Sequence, residues 1–117
     1  MNSHLISKQK AKLIVRACED KKGVDLVCLD VSKFSAVSDY FVIATGTSDR
    51  HVKAMGEAVL DCLRELGEKP QHREGLEEGN WVLLDSGNVM VHIFQETTRK
   101  FYCLEELWHK AKKVQFR

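Results

Sequence analysis

Apolar positions recur at helical spacing between residues 5 and 22. Ile6, Leu13, Ile14, Ala17 and Cys18 form one stripe, and Lys8, Lys10, Lys12, Arg16 and Glu19 fall largely outside it. That pattern predicts an amphipathic helix ended by Lys21, Lys22 and Gly23. Val24 to Val31, `VDLVCLDV`, is rich in β-branched and apolar residues and predicts a strand. `SKFSAVSD` reads as a loop. Tyr40 to Gly46, `YFVIATG`, is apolar on both alternating faces, as expected of a central strand covered on both sides. A second helix follows: Ser48 is a good N-cap, Asp49 suits the first turn, and Gly67 closes the end. Its stripe is Val52, Met55, Val59, Cys62, Leu63 and Leu66. After a polar connector holding the single proline, Pro70, two apolar runs flank Ser86 and Gly87, which predicts a tight β-hairpin. A last helix is expected to start near Thr97 or Thr98, with Phe101, Leu104, Trp108 and Ala111 as its stripe. Arg99, Lys100, Lys110, Lys112 and Lys113 would form its solvated face, and the basic tail is expected to fray. The order helix, strand, strand, helix, hairpin, helix predicts an α/β or α+β fold, with helices on a mixed sheet of four to five strands.

The hairpin sorts its residues onto two faces. With a two-residue loop, Leu83 opposes Met90 and Trp81 opposes His92. One face then collects Val82, Leu84, Val89, Val91 and Ile93, all aliphatic. The other collects Trp81, Leu83, Met90, His92 and Phe94, with Asp85 and Asn88 at the turn. Aromatic and Met side chains with a few polar tips are enriched at protein interfaces. Coverage by the last helix is the bland alternative.

The length of 117 residues suits a single domain spanning 1–117, with a core at about 5–108 and a basic tail at 109–117. No apolar run approaches a membrane span and the N-terminus lacks an apolar signal region, so the expected location is cytoplasmic. The net charge of +1 argues against binding through nucleic-acid phosphates. Cys18, Cys28, Cys62 and Cys103 lack the short spacing of zinc or redox motifs and read as small buried thiols.

Catalytic chemistry has little support. The turn `TGTSDRH` has one glycine and none of the phosphate-loop patterns, so Gly46 and Ser48 read as turn and cap, with Arg50 and His51 as surface groups. No carboxylate pair follows Gly46 at a spacing that would hold Mg²⁺. Asp25 and Asp30 point to opposite strand faces. His4, His51, His72, His92 and His109 have no metal-ligand spacing, and neither a metal nor another cofactor is implied.

Three motifs, `TGTSDRHV`, `WVLLDSGNVMVHIF` and `RKFYCLEELW`, together resemble the ribosomal silencing factor family, also called Iojap or RsfS, over roughly residues 5 to 108. The resemblance implies a nucleotidyltransferase-like topology without catalysis. It also implies binding to the ribosome at the large subunit, on ribosomal protein uL-fourteen, where the bound factor blocks subunit joining and represses translation. Carried onto this chain, the implied partner-binding residues are Trp81, Asp85, Ser86, Phe94 and Tyr102. Asn88 stands where the family pattern often has Asp. Two other readings stay open. One is a nucleotide-binding enzyme of nucleotidyltransferase type using the Gly46–His51 turn. The other is a homodimer paired through the hairpin face.

Overall fold

A computed structural model describes residues 3–34, 36, 38–102, 111–114 and 116, with side chains described at 6–99 within these ranges and at 111–114 and 116. In chain order the elements are α1 (Ser3–Asp20), β1 (Val24–Asp30), β2 (Tyr40–Gly46), α2 (Asp49–Glu65), β3 (His72–Glu74), β4 (Trp81–Asp85), β5 (Val89–Gln95), α3 (Glu96–Tyr102) and β6 (Lys112–Lys113). The strands form one mixed sheet in the order β3-β4-β5-β2-β1-β6. β2 and β5 run parallel, and every other pair is antiparallel.

The fold is α+β, with a sheet of six strands rather than four or five. The two extra strands lie at the edges. β3 is fully exposed and polar along its length, so its own sequence carries no alternation. β6 lies in the basic tail that was expected to fray. Lys112 and Lys113 pair with Asp30 and Leu29, and Val114 donates its N–H to the Cys28 carbonyl at 2.8 Å. Ala111 is buried, and Val114 and Phe116 pack on the core. The remainder of the expected last-helix stripe, Leu104 and Trp108, lies outside the described residues, as does Cys103.

The core follows the alternation of the strands. α1 (Ala11, Ile14, Cys18) and α2 (Val52, Met55, Val59, Leu60, Leu63) cover one sheet face, made of Tyr40, Val42, Ala44, Val82, Leu84, Val89, Val91 and Ile93. β2 is buried along its whole length, as its two-sided apolar pattern predicts. Burial pushes the Cys18 and Cys28 thiols up to about 12, so both remain protonated and unreactive.

Buried polar groups tie the elements together. Lys10, on α1, is only 5% exposed. Its ammonium meets Glu68 Oε1 at 2.7 Å and the Ser86 carbonyl at 2.9 Å, joining α1 to the hairpin turn. Arg99 is a correction to the expected solvated face. It is buried, and its guanidinium donates to the Asp25 carbonyl at 2.7 Å and to Thr45 Oγ1 at 2.6 Å. The Asp25 acceptor is available because β1 has an irregularity there: its pairing to β2 shifts between Val24 and Val27, and Asp25 has φ +49°.

Candidate functional site

The hairpin register differs from the expected one by two residues. Trp81 opposes Phe94, Leu83 opposes His92, and Asp85 opposes Met90. A slip of two preserves the side-chain alternation, so both face assignments survive although the pairs change. The connection is longer because Ser86 turns inward. Its N–H and its hydroxyl both donate to the Val89 carbonyl, at 3.0 and 2.6 Å. Asp85 Oδ1 accepts the Gly87 N–H at 2.8 Å, fixing the bend from the other side.

The second sheet face is built by five strands. The pairing registers place Val27 and Leu29 of β1, Phe41 and Ile43 of β2, Met90, His92 and Phe94 of β5, and Trp81, Leu83 and Asp85 of β4 on it. His72 and Glu74 of β3 extend it, opposite Asp85 and Leu83. Exposure rises across the sheet. Ile43 and Phe94 are fully buried, and Phe41 and His92 nearly so. Trp81, Leu83, Asp85 and Met90 are half-buried, whereas His72 and Glu74 are exposed. His72 Nε2 and Glu74 Oε1 lie 2.9 Å apart, a contact that at this exposure contributes little. α3 packs against β5 and β2, with Arg99 reaching Thr45.

An aromatic cluster lies where buried and exposed parts meet. The Trp81 indole is 4.9 Å from the Phe94 ring and tilted by 33°. His92 stacks nearly parallel to Phe94 at 6.0 Å and lies 5.3 Å from Phe41. The indole Nε1–H donates to His92 Nδ1 at 3.3 Å. Indole nitrogen can only donate, so Nδ1 is the acceptor and the imidazole proton sits on Nε2. That atom is buried and, among the described residues, has no hydrogen-bond partner.

Burial pushes His92 down from 6.5 to about 4. The folded chain therefore keeps it neutral, while the unfolded chain protonates it below about pH 6.5. Between those values the unfolded state binds more protons, so this group lowers stability as pH falls, by up to about 1.4 kcal/mol per pH unit. Urea unfolding at pH 7 and pH 5 should show a smaller acid loss for His92→Leu than for the wild type. Equal losses would mean that His92 titrates normally in the fold.

The sequence-predicted residues are thus placed unequally. Trp81 and Asp85 sit on the half-exposed edge of the face. Ser86 is buried in the turn, and Phe94 lies beneath Trp81. Tyr102 ends the described part of α3, and its side chain lies outside the described residues. Leu83 and Met90 join the exposed edge. His72 and Glu74 were missed, because a three-residue polar strand carries no face signal until its neighbour β4 is known.

The Gly46–His51 turn is filled by its own side chains. Thr47 N–H donates to His51 Nδ1 at 2.9 Å, Arg50 N–H to Asp49 Oδ1 at 2.8 Å, and His51 N–H to Ser48 Oγ at 3.1 Å. The other His51 nitrogen, Nε2, donates to the Lys21 carbonyl at 2.6 Å, so this half-buried residue clips α2 to the end of α1. Gly46 is required by packing: a Cβ there would lie 2.7 Å from Val52 Cγ2. Among the described residues no cluster of three His, Cys, Asp or Glu side chains could hold a metal ion.

Comparison with known proteins gives concordant matches. A family described as "Ribosomal silencing factor during starvation" matches residues 5–117. The ribosomal silencing factor RsfS of Bacillus subtilis is 41% identical over 100 residues, covering 86% of this chain and 85% of that protein. A mouse protein named for mitochondrial assembly of the ribosomal large subunit is 29% identical over 108 residues, covering 90% of this chain and 47% of its own. A crystal structure of a Chromobacterium violaceum protein superposes with a TM-score of 0.85 at 39% identity, over 93% of this chain and 90% of that one.

Proposed function

Because the chain belongs to the ribosomal silencing factor family, we propose that it is a non-catalytic repressor of translation that acts in the cytoplasm by binding the large ribosomal subunit. In this reading the contact is made on ribosomal protein uL-fourteen by the second sheet face, with Trp81, Leu83, Asp85 and Met90 at its exposed edge. Phe94 supports Trp81 from below, Ser86 shapes the turn that carries Asp85, and Tyr102, at the end of α3, is the fifth residue that the family resemblance implies. The bound factor then stands in the way of the small subunit. The observation that carries the reading is the half-buried Trp81, backed by Phe94 and His92 on the sheet. A large, half-buried aromatic group packed on other rings is the usual form of an interface anchor. The names of the relatives, one a silencing factor and one an assembly protein of the large subunit, agree with it.

A nucleotide site at Gly46–His51 has weaker support. Three backbone N–H groups that would cradle a phosphate are already taken by side chains, and the Asp49 carboxylate adds repulsion. Co-sedimentation on a sucrose gradient tests the main reading. The protein should travel with isolated large subunits and not with small ones, and its addition should reduce joined ribosomes. Protein left at the top of the gradient would overturn the proposal. Self-association through the same face would show as a mass that rises with concentration and falls when large subunits are added.

A further inference from the structure

We infer that His92 is a positioning residue of the partner-binding face, whose Nδ1 holds the Trp81 indole in the orientation offered to the large ribosomal subunit. The inference rests on the reading of that face proposed above. Three observations support it. First, the described residues hold the indole by two unlike contacts, its ring tilted by 33° against Phe94 at 4.9 Å and its Nε1–H on His92 Nδ1 at 3.3 Å. A plane and a directional bond together restrain both side-chain torsions. Second, the imidazole is itself confined, nearly parallel to Phe94 on one side and 5.3 Å from Phe41 on another. Third, this arrangement has a cost. With Nδ1 accepting, the buried Nε2–H has no partner among the described residues, and an unmet buried donor is unfavourable.

A leucine at position 92 would fill an apolar sheet face without that orphaned donor. Trp81 is only half-buried as a residue, so its indole N–H can turn to another acceptor or to water. Stability alone therefore does not ask for histidine here. Presentation of Trp81 in one orientation does, because a side chain ordered before contact loses less freedom on binding.

The test compares His92→Leu and His92→Asn, each in the wild-type and the Trp81→Phe backgrounds. Asparagine carries its carbonyl oxygen one bond from Cγ, as histidine carries Nδ1, and so can accept the indole proton. Two quantities are read: dissociation from purified large ribosomal subunits, and solvent exchange of the Trp81 indole proton by NMR, assigned by its absence in Trp81→Phe. We expect His92→Leu to speed indole exchange and to raise the dissociation rate roughly fivefold without a lower melting temperature. His92→Asn should restore most of both. In the Trp81→Phe background, which has no indole N–H, His92→Leu should add nothing further. If His92→Leu frees the indole proton yet dissociates at the wild-type rate, while Trp81→Ala loses binding, the positioning role is wrong and the face stands. Equal losses from His92→Leu in both backgrounds, with a lower melting temperature, would reduce His92 to a packing role and overturn the inference. If Trp81→Ala binds like the wild type, the face itself is wrong and the inference falls with it.

Discussion

Replacing Trp81 with alanine should weaken binding to the large ribosomal subunit by about thirtyfold or more, the equivalent of about 2 kcal/mol for a central interface anchor. The loss has three sources. The substitution removes the large apolar surface that the sheet edge presents, and it exposes the Phe94 ring on which the indole rests. It also leaves His92 Nδ1 without its donor. The chain should remain folded, because the larger aliphatic core between the sheet and helices α1 and α2 lies on the opposite face, and the smaller cluster of Leu29, Val31, Phe41, Ile43, Phe94 and Ala111 loses only a half-buried packing partner. Circular dichroism should therefore match the wild type while the gradient profile changes. Wild-type affinity in a folded Trp81→Ala protein would remove the central claim about this face.

Gly75→Ala should be the most damaging small substitution, lowering stability by about 3 kcal/mol and the melting temperature by roughly 10 °C or more. Gly75 has φ +83°, and a Cβ there would lie 1.9 Å from the Trp81 carbonyl oxygen. Two costs combine: a backbone conformation that alanine resists, and a collision with main chain, which cannot swing aside as a side chain can. Relief requires moving either the start of β4 or the loop from Gly75 to Gly79, which is closed by a 2.9 Å hydrogen bond between those two glycines. Trp81 would move with β4, so ribosome binding should fall as well. Gly67→Ala is the control. Its φ is +75°, but nothing lies within 4 Å of the added carbon, so only the conformational cost applies, about 1 kcal/mol. Similar melting temperatures for the two variants would contradict the collision.

Much of this fold could be read from residue order, and the failures have physical causes. The two faces of the hairpin were legible because alternation survives a register slip of two residues. The slip itself was not, since it comes from Ser86 folding both its donors onto Val89. β2 was legible as a strand buried on both sides because each of its residues is small or apolar. β3 and β6 were not, because short edge strands are defined by the neighbour they pair with. The sequence places Arg99 on a solvated face because nothing near it in sequence shows its acceptors, which come from Asp25 and Thr45, far back along the chain. Within the candidate site, Trp81 and Phe94 stand out by type on one hairpin face, whereas Asp85, Ser86 and Tyr102 enter only through the family resemblance. The support given by His92 depends on which ring nitrogen faces the indole, and that is a matter of geometry alone.

The parallel pairing of β2 with β5 has a consequence for how the chain must fold. β2 ends at Gly46, yet one of its two edges stays unsatisfied until β5, ending at Gln95, reaches it. The strand between them in space is none, but the chain between them includes α2, β3 and β4. A chain emerging from synthesis in order would hold a largely apolar strand with an open edge for about half its length. Such distant pairing slows folding relative to a chain of local contacts. A fragment stopping before Val89 would carry that open edge permanently, and sticky aggregation is its natural fate.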